Sequence, residues 1–214
     1  MTSQSQQVPG LLRNDVTRLR AKALFGRPGD SVSMRVPGRK ELLLALPDTD
    51  ELRLVRFEHE GAEPAGFHAA IYRTREDAGA VLIGTTPWSA ALAALETAVP
   101  LLYDEQARHI GKMEDPVSGD RRERAVQALR RGGNVVLYGK QRICIGTTPN
   151  RVVFNADLFE KCCKAFIIAS ASGNRIHKVP AWVCYIAGGR LQKDQRRAAA
   201  SYEEGRIPEG MDAY

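Results

Sequence analysis

The sequence predicts an α/β domain in layers, with helices on both faces of a central mixed sheet. Three observations lead there. Short apolar runs such as "AVLIG" are interleaved along the whole chain with stretches of helical period. Gly, Pro and Asp clusters punctuate the boundaries, and no segment repeats. A length of 214 residues suits one domain with a substantial core.

Taken in order, "MTSQSQQVPG" is polar and reads as a disordered tail over residues 1–10, with a single domain over 11–214. Leu12, Val16, Leu19 and Ala23 mark a helix that "RPGDS" breaks. "SVSMRVPG" alternates into a Pro37-Gly38 turn, a short strand. "ELLLALP" and "ELRLVRFE" form a hairpin, the continuous apolar run being the more central strand. "GFHAAIYRTRED" is a short helix packing through Phe67, Ile71 and His68, and "AVLIGTT" is a buried strand. Pro87 and Pro100 fence the next helix. Asp120 is the expected N-cap of "RRERAVQALRR", with Gly132-Gly133 as its stop. "NVVLYGKQRICIGT" gives two strands around Gly139-Lys140. The helix in "NADLFEKCCKAFIIASASG" buries Leu158, Cys162 and Phe166 beside Phe159, Cys163 and Ile167, with Asn155 as its cap and Gly173 as its end. The tail beyond shows little periodicity.

Composition narrows the function classes. Hydrophobic residues make up 43% and charged residues 26%, the balance of a soluble globular protein. No secretory signal or membrane-length apolar run is present, so the cytoplasm is the expected location. The net charge of +6 is spread through "RRERAVQALRR" and "RLQKDQRRAAASYEEGR" without an aromatic-basic platform, which argues against nucleic-acid binding. Cys144, Cys162, Cys163 and Cys184 lack metal-ligand spacing and sit in apolar company, as reduced core residues do; a reactive thiol at Cys144, beside Arg142, is the alternative.

Several segments carry a resemblance. "GDSVSMRVPG", "HAAIYRTREDAGAVLIGTTPWSAAL", "LLYDEQARHIGKM" and "NVVLYGKQRICIGTT", followed by a long helix, together resemble the class II aldolase/adducin family across nearly all of residues 11–200. The resemblance implies a three-layer αβα class II aldolase-like domain. It also implies, for catalytic members, three histidines holding a divalent metal and a glutamate acting on the substrate's proton. Three imidazoles leave the metal positive, with open positions to stabilise an enediolate.

The matching positions depart from that pattern. The H-x-H pair falls on Ile83 and Thr85, the third histidine on Lys140 and the glutamate on Pro64, with Glu63 adjacent. The phosphate-binding Ser-Gly is replaced within "LLLALPDTD". All four histidines, His59, His68, His109 and His177, lie outside the ligand stretches. The expectation is therefore no metal, no cofactor and no zinc-aldolase chemistry.

Two readings remain. One is an oligomeric pseudoenzyme or assembly domain, for which the metal-free adducin head is the precedent. The other is a metal-independent lyase, isomerase or decarboxylase acting on a small anionic carbonyl compound around Lys140, whose ammonium can hold an anion or serve as base or nucleophile. Pocket candidates are Lys140, His68, Tyr72 and Tyr138; a solvated turn lysine and a buried His68–Tyr72 pair are the structural alternatives. Asp104, Glu105, Arg108 and His109 form a further polar cluster, readable as a site or as an interface salt-bridge group. Family resemblance implies a homotetramer.

Overall fold

Six strands build the sheet in the order β3-β2-β1-β4-β6-β5. The computed structural model describes residues 3–61 and 63–209. The strands are β1 (Ser31–Arg35), β2 (Glu41–Ala45), β3 (Arg53–Arg56), β4 (Ala80–Gly84), β5 (Val135–Tyr138) and β6 (Gln141–Gly146). The helices are α1 (Ser3–Ala21), α2 (Ala65–Thr74), α3 (Pro87–Ala94), α4 (Arg122–Arg130), α5 (Pro149–Ala171) and α6 (Ala181–Glu203). A π-helical turn, Gln106–Ile110, lies between α3 and α4.

Strand alternation sorts the apolar residues into two layers. Val32, Met34, Ala80, Leu82, Leu137 and Cys144 face α1, α3 and α5. Leu42, Leu44, Val81, Ile83, Ile143 and Ile145 face α2 and α4. Because side chains alternate with period two, β2, β4, β5 and β6 each feed both cores, and the three-layer arrangement follows. The hairpin order is as expected, with β2 inside and β3 at the edge.

Several elements differ from the sequence-based expectation. Every strand ladder is antiparallel, and parallel pairing among the described residues is confined to one bridge, Val117–Tyr138. Continuous apolar strands are compatible with this antiparallel sheet because helices cover both of its faces. Helix α1 begins at Ser3 inside the segment expected to be a tail, and Val8 is fully buried; residues 1–2 lie outside the described ones. It ends at Ala21, and Ala23 sits beyond it with φ 54°.

Caps moved as well. Helix α3 stops at Ala94, short of Pro100. Arg121, not Asp120, occupies the start of α4, and the Asp120 carboxylate accepts instead from Ser118 Oγ. Helix α5 begins at Pro149, where Thr148 Oγ1 accepts from the Arg151 N–H; Asn155 lies inside it and donates to the Ile145 carbonyl at 2.7 Å.

The largest departure is α6, a 23-residue helix where little periodicity was expected. Its buried stripe is Ala187, Leu191, Ala198 and Tyr202, narrow and partly of small residues, with Gly188-Gly189 breaking the pattern. It packs on the π-helical turn, and its far end places the Tyr202 hydroxyl on the Thr147 carbonyl at 2.9 Å. Arg35 stands against the rings of Phe57, Tyr72 and Tyr202 at 5.0, 5.2 and 5.3 Å. No described helix is long and apolar enough to cross a membrane.

Candidate functional site

At the end of β4, the sheet, the start of α2 and the loop after β2 enclose a cavity of about 440 Å³. Ile83 and Ser31 come from the paired strands β4 and β1, which set them side by side in register. Leu46, Pro47 and Asp48 come from the loop after β2, Glu63, Pro64 and Phe67 from the start of α2, and Tyr138 and Gln141 flank the β5–β6 turn. Of the residues expected in a pocket or at metal positions, the cavity therefore gathers Pro64, Ile83 and Tyr138.

Thr85 and Lys140 meet at the adjacent corner, where Thr85 Oγ1 donates to the Lys140 carbonyl at 3.4 Å. Neither lines the cavity, and Lys140 is exposed on the turn that Gly139 makes with φ 55°. The lining contains no cationic side chain.

The polar groups around this cavity are held by structural partners. Asp30, 2% exposed, accepts from the Gly26 and Arg27 N–H groups at 2.9 and 2.8 Å and from the Thr85 N–H at 3.0 Å. Gly84 makes that approach feasible, since a Cβ there would lie 2.5 Å from Asp30 Oδ1. Glu63 pairs with Arg122 Nη1 at 3.0 Å, while Arg122 Nη2 donates to the Gly66 carbonyl. The Tyr138 hydroxyl donates to the Gly119 carbonyl, and its ring meets Phe67 edge-on at 5.0 Å.

His68 and Tyr72 lie below the cavity rather than in it. The His68 ring is fully buried, with Nε2 2.8 Å from Ser31 Oγ and Nδ1 2.7 Å from Ser33 Oγ, and Ser33 Oγ in turn 3.1 Å from the Tyr72 hydroxyl. Burial pushes the His68 pKa down to about 3, so the imidazole stays neutral, and burial drives the Tyr72 phenol upward. Sequence spacing placed these two one turn apart on α2, but it carried no sign that two serines of β1 bridge them.

Cys144, Cys162 and Cys163 are buried free thiols. Burial raises the Cys144 pKa to about 11, outweighing the opposing pull of Arg142, so this thiol is not activated.

A divalent metal needs neutral or anionic donors converging on one point. Ile83 offers none, Lys140 offers an ammonium, and the nearby carboxylates of Asp30 and Glu63 are bound to N–H groups. Among the described residues no three of His, Cys, Asp and Glu come together to hold one. The residues present do not fit the metal that this fold implies.

The sequence profile described as "Class II Aldolase and Adducin N-terminal domain" matches residues 48–167. The chain belongs to that family. Its fold is shared with YgbL of Klebsiella pneumoniae at a TM-score of 0.72 and 17% identity, covering 87% of this chain and all of that one. The L-fuculose 1-phosphate aldolase of Glaciozyma antarctica PI12 is similar at 0.71 and 16%, covering 94% and 88%. An aldolase II superfamily protein of Pseudomonas syringae is similar at 0.67 and 18%, covering 95% of each. At these identities the likeness is one of fold. No curated protein matches the chain in sequence. In this class II aldolase-family member, the residues that sequence reasoning missed are Asp30, Arg122 and the α6 positions facing the π-helical turn. Only the Gly-Asp-Ser order around Asp30 gave any advance signal.

Proposed function

We propose that this family member is a cytoplasmic, homo-oligomeric binding or assembly domain with a degenerate metal site, not a metal-dependent aldolase. One observation carries the reading: Ile83, 2% exposed, presents an apolar branched side chain on the cavity wall at the position matched to the first metal histidine. The Glu63–Arg122 pair supports it, because the carboxylate next to the position matched to the catalytic glutamate is already engaged by a guanidinium. Assembly is supported by large apolar side chains left in solvent, Tyr185 at 83% and Ile168 at 55% exposure, and a tetramer is the state expected from the family.

Elemental analysis of purified protein, with a ketose-phosphate cleavage assay supplemented with Zn²⁺, Mn²⁺ or Co²⁺, tests the proposal. Substoichiometric metal and no cleavage are expected. One tightly held divalent ion per chain, or metal-stimulated cleavage, would overturn it.

A further inference from the structure

The net positive charge of this chain is confined to one segment. Residues 161–193 hold Lys161, Lys164, Arg175, Lys178, Arg190 and Lys193, and no acid. Of the 31 lysines and arginines, the other 25 share the rest of the chain with all 25 acids, so the whole net charge of +6 sits in this segment. It comprises the end of α5, the connection and the first half of α6. Lys161 is engaged by Asp157, and Lys164 lies over the Trp88 ring at 5.7 Å. Arg175, Lys178, Arg190 and Lys193 are exposed and have no ion-pair partner among the described residues. Among them stand Trp182, Tyr185 and Ile186, also exposed, Trp182 at 67%. Of the acids nearest to them, Asp194 is paired with Arg108. Asp104 and Glu105, across a groove from α6, form no ion pair with these cations.

The opposite imbalance lies across the molecule. The loops at either end of β3 carry Asp48, Asp50, Glu51, Glu58 and Glu60, all exposed and without an ion-pair partner among the described residues. Between them in sequence, Arg53 and Arg56 are the only lysines or arginines, and Leu54, 56% exposed, gives the strand an apolar surface. β3 and β5 are the two edge strands, five strand spacings or about 24 Å apart. The basic segment belongs to the β5 side. There α6 packs on the π-helical turn, whose Ile110 carbonyl accepts from the Asn134 N–H, just before β5, at 2.7 Å.

We infer that the basic, aromatic face of the α5–α6 segment docks on the acidic β3 edge of a second copy of this chain. The inference rests on the proposed assembly and identifies the two surfaces that meet. Unlike charges steer the copies together, and Trp182, Tyr185 and Ile186 meet Leu54 where water is excluded. Two different surfaces at opposite edges of the sheet cannot face each other about one two-fold axis. The contact is therefore head-to-tail, and successive contacts close into a ring when the rotation permits.

Sedimentation of charge-reversed variants tests this. Reversing the basic face with Arg175→Glu and Lys178→Glu, or the acidic edge with Asp50→Lys and Glu51→Lys, should weaken assembly at least about tenfold. All four reversals in one chain should restore it, because the facing charges are again unlike. Wild-type assembly should weaken by a similar factor as sodium chloride rises from about 0.05 to about 0.5 M. If circular dichroism shows a reversed variant unfolded, the salt series on wild type still decides. An oligomer indifferent to salt or to either reversal alone, or no recovery in the fourfold variant, would overturn the inference and leave homo-oligomerisation standing. A wild-type monomer would remove both. Sedimentation of that monomer with vesicles of anionic phospholipid would assign the basic face to a lipid surface instead.

Discussion

Asp15 on α1 is 2% exposed, and its Oδ2 has no hydrogen-bond partner among the described residues; Oδ1 faces Arg18 at 3.4 Å. Burial raises its pKa from 3.8 to about 7, outweighing the nearby guanidinium. A raised carboxylate pKa favours the protonated folded state. Its contribution to stability is complete below about pH 4 and is lost as pH rises through about 7. Asp15→Asn should therefore stabilise the fold at pH 8 by on the order of 2 kcal/mol, read as a higher melting temperature, and change it little at pH 4. Thermal melts of both proteins at the two pH values test the sign. At the Ile83 cavity the decisive quantity is ligand count. Ile83→His, Thr85→His and Lys140→His together should be needed for zinc uptake, any two leaving too few donors. Calorimetric zinc titration of the triple and the three double variants should separate them; tight binding by wild type or any double would refute the ligand assignment.

The elements depend on polar contacts reaching across the chain. Helix α3 is capped by the Glu160 carboxylate of α5, which accepts from the Trp88 and Ser89 N–H groups at 2.9 and 3.2 Å and from the Thr86 hydroxyl. Thr86 Oγ1 also receives Arg142 Nη1 at 3.2 Å, so the cap extends to a fully buried cation. Glu160→Ala removes the acceptor from the first turn and the nearby negative charge from Arg142. Denaturant unfolding should show a loss of about 2 kcal/mol or more. Helix α6 is anchored at its far end by Tyr202. Tyr202→Phe should cost about 1 kcal/mol, for the hydrogen bond to Thr147, and Tyr202→Ala about 3 kcal/mol, for the emptied contact with Arg35. Equal losses in the two variants would mean that the ring contributes no packing.

At the scale of the molecule, the expectation is a core that does not depend on a metal. The two apolar layers on either side of the sheet are continuous without one. A strong chelator should leave the melting midpoint unchanged, and a drop of several degrees would reveal a structural ion. Light scattering at micromolar concentration should give a homo-oligomer, and Tyr185→Asp, at the most exposed large hydrophobic position, should shift it toward monomer with unchanged circular dichroism. A wild-type monomer would remove the assembly reading.

The amino-acid order by itself determined the six strands and helices α1 to α5, the hairpin with β2 inside, the β5–β6 turn at Gly139-Lys140 and the family. It also led to the expectation that Ile83, Thr85 and Lys140 stand where the resemblance puts the metal ligands of catalytic members. These features are legible because period and turn chemistry act between residues two to four positions apart. Only the tertiary structure decided how the polar side chains are used. Glu63 meets Arg122 59 residues away, Arg151 meets His109 across 42, and two serines of β1 close over His68 from 37 and 35 residues away. The same holds for α6, whose narrow stripe of Ala187, Leu191, Ala198 and Tyr202 carries little apolar signal of its own. It becomes a defined surface only against the π-helical turn and Arg35, where partners distant in sequence supply the burial that local periodicity does not encode.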